Sequence, residues 1–376
     1  MRHRTVRFRF FLMGVPLFFP VVAQAMDLSW NGFGSTYYGQ AMNRNLRPVG
    51  LDDTHVNFTE FSLFGLNLAA AINEDFTFAA QLVALGSPSG TTDKFGLMAQ
   101  WAFANYQPTE NTSVRVGRQL YPTLIASEYV RVGYLLPFRQ IPYSSFATAP
   151  FTRFDGVSVN QKWATGFGDF KLGAFGGKPL LDIAVPASTG LAFNLSDLIG
   201  LVAELNGDGW RVHAQASRFL SELTMGTPLP ASHLVGHTQS YTVGYRYDKH
   251  SLVSWSEFTF QTTPDGSPVN GGKYVGVGRA FYWLGGYRIG KFMPRYTYSQ
   301  ASNQFNILSA TGYANGKETT HTLGLNYQAG SQAVIKVEYE RIFIPAGHDG
   351  SYFVAETPTS TETSAGAFYA GVDFIF

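Results

Sequence analysis

Apolar and polar residues alternate one for one along much of this chain. In VIKVEYER, Ile335, Val337 and Tyr339 fall on one side and Lys336, Glu338 and Glu340 on the other. In HTLGLNY, Leu323, Leu325 and Tyr327 alternate with Thr322, Gly324 and Asn326. In FMPRYTYS, Phe292, Pro294, Tyr296 and Tyr298 alternate with Met293, Arg295, Thr297 and Ser299. WRVHAQAS sets Trp210, Val212, Ala214 and Ala216 opposite Arg211, His213, Gln215 and Ser217. Successive side chains of a strand point to opposite faces, so each stretch predicts a β-strand with one apolar and one polar face. The closing residues GAFYAGVDFIF carry the pattern to the last position, with Phe368, Ala370, Val372, Phe374 and Phe376 on one face and Tyr369, Gly371, Asp373 and Ile375 on the other. No long stretch beyond the N-terminal segment repeats its apolar residues at the three- and four-residue steps of a helix.

Turn-forming residues divide these strands in a regular way. Seven short turns fall at 73–75, 108–111, 165–168, 206–209, 247–250, 289–291 and 328–331, each carrying residues favoured in turns. Between them run eight longer links, over 43–58, 86–95, 120–152, 177–197, 221–237, 263–272, 301–317 and 342–366. Short and long alternate, and fifteen connections join sixteen strands. Tight turns on one side, long loops on the other and an even strand count are what a transmembrane barrel requires. A sheet in lipid must close to satisfy its backbone N–H and C=O groups, so the last strand is expected to pair with the first, near residues 28–42. The fold class is therefore all-β, a transmembrane antiparallel β-barrel of sixteen strands.

The N-terminus fits export. Arg2, Arg4, Arg7 and Arg9 precede an apolar run over 10–22, and Ala23-Gln24-Ala25 supplies small residues for cleavage, so 1–25 is expected to be a signal peptide and 26–376 the barrel. The run is shorter than the ~20 residues of a spanning helix. Without 1–25 the chain holds 23 basic and 26 acidic residues, a net −3 that gives no reason to expect a nucleic-acid partner. There is no cysteine, so the exported fold holds without disulfides. His213, His237, His250 and His321 fall on separate expected elements, and neither a metal site nor a cofactor is expected. Tyr37, Tyr38, Phe281 and Trp283 are expected in interfacial aromatic girdles or a subunit contact.

The opening GFGSTYYG, the stretch SVRVGRQLYP with RFDGVSVN following, and the terminal row ending in Phe376 together resemble the Gram-negative outer-membrane porins over the whole exported chain. That resemblance implies an outer-membrane location, a homotrimer, and a C-terminal strand bearing Phe368, Phe374 and Phe376 that the barrel-assembly machinery reads. It also implies that the third long loop, near 120–152, folds inward. General porins often carry an acidic motif there facing arginines, whereas here Glu128 is the loop's one acid, beside Arg131 and Arg139.

Chemistry along the pore follows from that arrangement. A loop of about 33 residues exceeds the ~12 to 15 beyond which a loop is usually functional or disordered, and this one is rich in Tyr, Leu, Ile and Phe, so it is expected to lie on the inner wall and narrow the pore. Arg115, Arg118, Glu128, Arg131 and Arg139 are the expected constriction residues. Lys162, Arg211, Arg295, Lys336 and Glu338 are the expected lumen wall, since a basic residue facing lipid at mid-bilayer costs ~2 to 4 kcal/mol. Positive charge focused between low-dielectric walls raises local anion concentration. The expected function is passive diffusion of small hydrophilic solutes and ions with mild anion preference, and no enzymatic activity. Two alternatives stay open. One is an omptin-like or lipase-like barrel enzyme using Asp52, Asp53 and His55 with His348 and Asp349; the other is a non-conducting adhesin or structural barrel.

Overall fold

The computed structural model describes residues 27–42, 51, 58, 61–86, 95–142, 145, 151–181, 191–225, 232–266, 268–269, 272–273, 276–309, 312–348 and 363–376. The expected signal peptide and residue 26 lie outside the described residues, as do Asp52, Asp53, His55 and Asp349.

Sixteen antiparallel strands form one closed barrel. In chain order they are β1 (Asp27–Ala41), β2 (Leu63–Ala71), β3 (Phe76–Leu85), β4 (Gly96–Thr109), β5 (Thr112–Leu120), β6 (Phe151–Thr165), β7 (Gly168–Leu181) and β8 (Leu191–Gly207). They continue with β9 (Trp210–Met225), β10 (Ser232–Lys249), β11 (Leu252–Thr262), β12 (Gly276–Tyr287), β13 (Phe292–Ser309), β14 (Gly312–Gln328), β15 (Ala333–Ile344) and β16 (Thr363–Ile375). A two-residue ribbon, Pro268–Val269 with Gly272–Lys273, decorates the link between β11 and β12.

Closure runs through β1, whose first half pairs with β2 from Asp27 opposite Ala71 to Ser35 opposite Leu63. Its second half pairs with β16, from Phe33 opposite Ile375 to Ala41 opposite Ala367. The seam is packed by rings on glycines: Phe374 lies over Gly34 and Phe376 over Gly32, where a Cβ would overlap the ring. The terminal ladder is secured by hydrogen bonds in both directions between Gly32 and Phe376, at 2.8 and 2.9 Å.

The alternation read in the sequence sorts the two faces. Leu28, Phe64, Phe78, Val116, Val159, Leu201, Val243, Phe258, Leu323, Ile335 and Phe368 are exposed on the outside. The inward positions between them hold buried polar groups, among them Ser35, Gln119, His213, Glu257, Arg295, Asn326, Lys336, Glu338 and Asp373. Oil outside and polar groups within is the inverse of a soluble β-sandwich, and it suits a lipid surround.

Two expectations are corrected. Tyr37 is not in an outer girdle: it is buried on the inner face, because β1 turns its odd-numbered residues inward, and its phenol donates to Asp373 at 2.6 Å. Tyr38, its neighbour, does face outward, against Phe58 and Phe368. The links expected over 177–197, 221–237 and 301–317 are largely strand, since β7 runs to Leu181, β9 to Met225 and β13 to Ser309. In the last case Asn303 still pairs with Gly316 and Phe305 with Ala314. Backbone ladders persist beyond the apolar belt, where both faces meet water and alternation no longer marks the strand.

Candidate functional site in the barrel lumen

Past β5 the chain turns into the barrel, and residues 121–142 cross its interior. Apolar packing holds the middle of this loop: Leu124, Ile125, Ala126, Leu136, Phe138 and Ile141 cluster with Val253, Trp255, Tyr282, Leu284 and Met293 from the inner faces of β11 to β13. Phe138 meets Trp255 and Tyr282 edge-on, with centroids 5.5 and 5.9 Å away. On the opposite side Val132 packs with Phe33 and Val83. A loop so apolar is driven from water onto the wall.

Hydrogen bonds fix its register. The Tyr121 hydroxyl stands 2.6 Å from the Ser217 hydroxyl and accepts from Gln215 at 3.2 Å. Glu257, buried on β11, accepts from the Ile125 amide at 2.5 Å and from the Tyr282 hydroxyl at 2.6 Å. Farther along, Asn326 donates to the Pro137 carbonyl at 2.7 Å. Lys336 Nζ lies 2.7 to 2.9 Å from the carbonyls of Gly133, Leu136 and Phe138, and 2.7 Å from Asp373. Glu338 accepts the Arg139 amide at 2.6 Å and also pairs with Arg295. Burial makes each such group costly to leave unpaired, so the ties act together.

Opposite this packed side, a recess of about 240 Å³ opens between residues 122–128 of the loop and the wall of β4 to β8. Trp101, Phe103, Phe154 and Phe175 give it aromatic surface, and Arg115, Lys171, Glu128 and Glu204 give it charge. Glu128 is the loop's contribution, 3.8 Å from Arg115 and 3.7 Å from Lys171; Lys171 is also 3.4 Å from Glu204, which His213 backs at 3.4 Å. Arg246 reaches the loop at the Tyr129 hydroxyl, 3.2 Å away. Burial pushes the Tyr129 phenol above its ordinary value, while Arg246 pulls it the other way.

Of the five residues expected at the constriction, Arg115 and Glu128 meet here. Arg131 lies half-buried on the loop. Arg139 is elsewhere: its side chain is only 4% exposed, sandwiched over Tyr369 and Phe61 at 4.0 and 4.6 Å and ion-paired with Glu338 at 3.6 Å. Arg118 faces away from the lumen altogether. It lies two residues on from outward-facing Val116 and grips Asp155 of β6 with two hydrogen bonds of 2.9 and 3.2 Å. Strand alternation decides this, because Arg115 and Arg118 are three residues apart and so fall on opposite faces.

Of the five expected wall residues, Lys162 shares the inward face with Lys171, directly opposite it in register, and Arg211 bonds Asn206 at 2.5 Å. Arg295, Lys336 and Glu338 do face inward, yet the loop covers them. Phe368, Phe374 and Phe376 line the outside of β16 and its end. Nothing in the sequence singles out Lys171, Glu204 and Glu257. Each was one charge among many on alternating strands, and only loop packing separates them.

No protein-family model and no curated protein sequence matches the chain. Solved structures do. In-vitro folded OmpT, an outer membrane protein of Vibrio cholerae in trimer form, aligns with a TM-score of 0.60 at 14% identity, over 94% of this chain and 100% of that one. OmpF of Salmonella typhi, solved with daunomycin, aligns at 0.58 and 15% identity over 93% and 97%. An anion-selective porin from Comamonas acidovorans aligns at 0.58 and 13% over 93% and 100%. The fold is that of a porin-like outer-membrane barrel.

Proposed function

We propose that this porin-like barrel is a water-filled channel through a Gram-negative outer membrane, passing small hydrophilic solutes and ions by diffusion with mild anion preference and catalysing no reaction. The observation that carries the proposal is the charged recess that opens into the lumen between residues 122–128 of the third loop and β4 to β8. Arg115, Lys171, Arg211 and Arg246 face the interior near it, against Glu128 and Glu204, so the local balance favours anions.

Homotrimer formation is supported by the outer surface of β2 to β5. An open hollow of about 470 Å³ there is walled by Ala70, Ala80, Ala102 and Ala104 with Leu68, Phe78 and Val116. The Arg118 and Asp155 ion pair lies on the same outer side, in register with Ala102. Charge is expensive against lipid tails, and a subunit contact would cover it. The exposed row of Phe368 and Phe376 supports recognition of β16 by the barrel-assembly machinery. Single-channel recording in planar bilayers tests the central reading. Stepwise KCl conductance with a zero-current potential of anionic sign is expected, and purified, folded protein that carries no current would overturn it.

A further inference from the structure

We propose that Arg115 and Lys171 form a carboxylate-binding subsite in the lumen, and that an organic anion with an aromatic body docks there by displacing the loop's own Glu128. The channel reading supplies the route by which such a solute arrives; the site itself rests on the geometry that follows.

Arg115 is poorly satisfied where it stands. Its guanidinium carbon lies 5.0 Å from the centre of the Phe103 ring, and its Nε is buried without a hydrogen-bond partner. Its nearest acid, Glu128, is 3.8 Å away, beyond hydrogen-bond reach. A guanidinium offers planar paired donors that match the two oxygens of a carboxylate. Here the Arg115 side chain, 36% exposed, lines a recess large enough for a small ring.

Lys171 is divided between two acids of different standing. Glu204, 3.4 Å away, belongs to the wall and is braced by His213. Glu128, 3.7 Å away, projects from the short 3₁₀ turn Ser127–Tyr129, and its side chain is 58% exposed. A single oxygen of Glu128 therefore stands between both cations without a close bond to either. A partly exposed ion pair at such distance contributes little, so it is readily exchanged. A carboxylate free to approach both cations with both oxygens takes its place.

The surroundings fix the rest of the ligand. Trp101 and Phe103 line the recess with ring centroids 5.3 Å apart, and Phe154 and Phe175 line it too. An apolar surface beside a paired cation favours an amphipathic anion over a plain one. A neutral sugar would leave Arg115 unpaired. A cationic ligand would meet Arg115 already lying over Phe103.

The test is calorimetric titration of the full chain in detergent with benzoate, with acetate and benzyl alcohol as controls for charge alone and ring alone. Saturable benzoate binding is expected, with both controls at least about tenfold weaker. The Glu128→Gln variant should bind benzoate roughly two- to fivefold more tightly because the internal competitor is gone. The Arg115→Met and Lys171→Met double variant should lose binding, with heat-modifiable gel mobility confirming a folded barrel. Binding no tighter in Glu128→Gln, or acetate equal to benzoate, would overturn the proposal. Recording KCl currents from the same preparation separates the two readings. A conducting barrel that binds no benzoate sinks the subsite alone, and benzoate binding by a barrel that carries no current sinks the channel alone.

Discussion

Lys336 Nζ and the Asp373 carboxylate stand 2.7 Å apart on neighbouring strands, both side chains wholly shielded from water by the third loop above them. Asp373 also accepts from Ser35 and Tyr37 of β1 at 2.6 Å each, so one carboxylate joins the closing seam of the barrel to the loop anchor. Removing one partner of a buried ion pair costs about 3–5 kcal/mol. Lys336→Met should therefore loosen the loop, raising single-channel conductance and opening the 121–142 segment to trypsin in an otherwise folded barrel. Parent-like conductance together with intact protease resistance would mean that apolar packing alone seats the loop.

Selectivity should respond to charge in the recess and not to arginine content. Arg115→Glu with Lys171→Glu is expected to lower the anion-to-cation permeability ratio by at least about twofold, read from the zero-current potential under a KCl gradient. Arg118→Glu should leave that potential where it was, since the side chain faces outward. Arg139→Glu would set two carboxylates together beneath the loop, and its expected signature is lost heat stability. A selectivity shift from Arg118→Glu equal to that of the double variant would contradict this placement.

Glu257 holds the loop by its backbone. Glu257→Leu strands the Ile125 amide and the Tyr282 hydroxyl, at about 1–3 kcal/mol for each buried orphan, whereas Glu257→Gln keeps an acceptor and should cost less. Thermal unfolding in detergent should rank parent, Gln and Leu in that order, and equal midpoints for the two variants would count against the hydrogen-bond account.

A bulky side chain in the outer hollow should affect assembly without affecting the barrel. Ala80→Trp is expected to yield folded, heat-modifiable monomers, measured by mass on native gels. A trimer of unchanged stability would place the subunit contact elsewhere.

At the seam, Phe374→Ser with Phe376→Ser removes the rings that cover Gly34 and Gly32 and leaves the closing edge poorly packed. Degradation in the periplasm is expected, with little barrel recovered from outer membranes. Wild-type amounts there would show that closure does not depend on these rings.

Local patterning along the chain specifies the barrel. Period-two alternation assigns a lipid side and a lumen side to nearly every strand, and the spacing of turns counts sixteen of them, because both are local properties of an extended chain. Even the inward aim of His213, Arg295, Lys336 and Asp373 was legible, since a neighbour's face fixes one's own. The same parity turns Arg118 outward, three residues on from inward-facing Arg115. Which inward groups meet water follows from long-range packing alone. Residues 121–142 are remote in sequence from β11 to β16, and no local pattern states where a loop will land. Its landing buries Arg139, Arg295, Lys336 and Glu338 in one ionic network and leaves Arg115, Lys171 and Glu128 facing the recess. The same kinds of side chain therefore hold the loop on one wall and line the recess on the other, and long-range packing makes the difference.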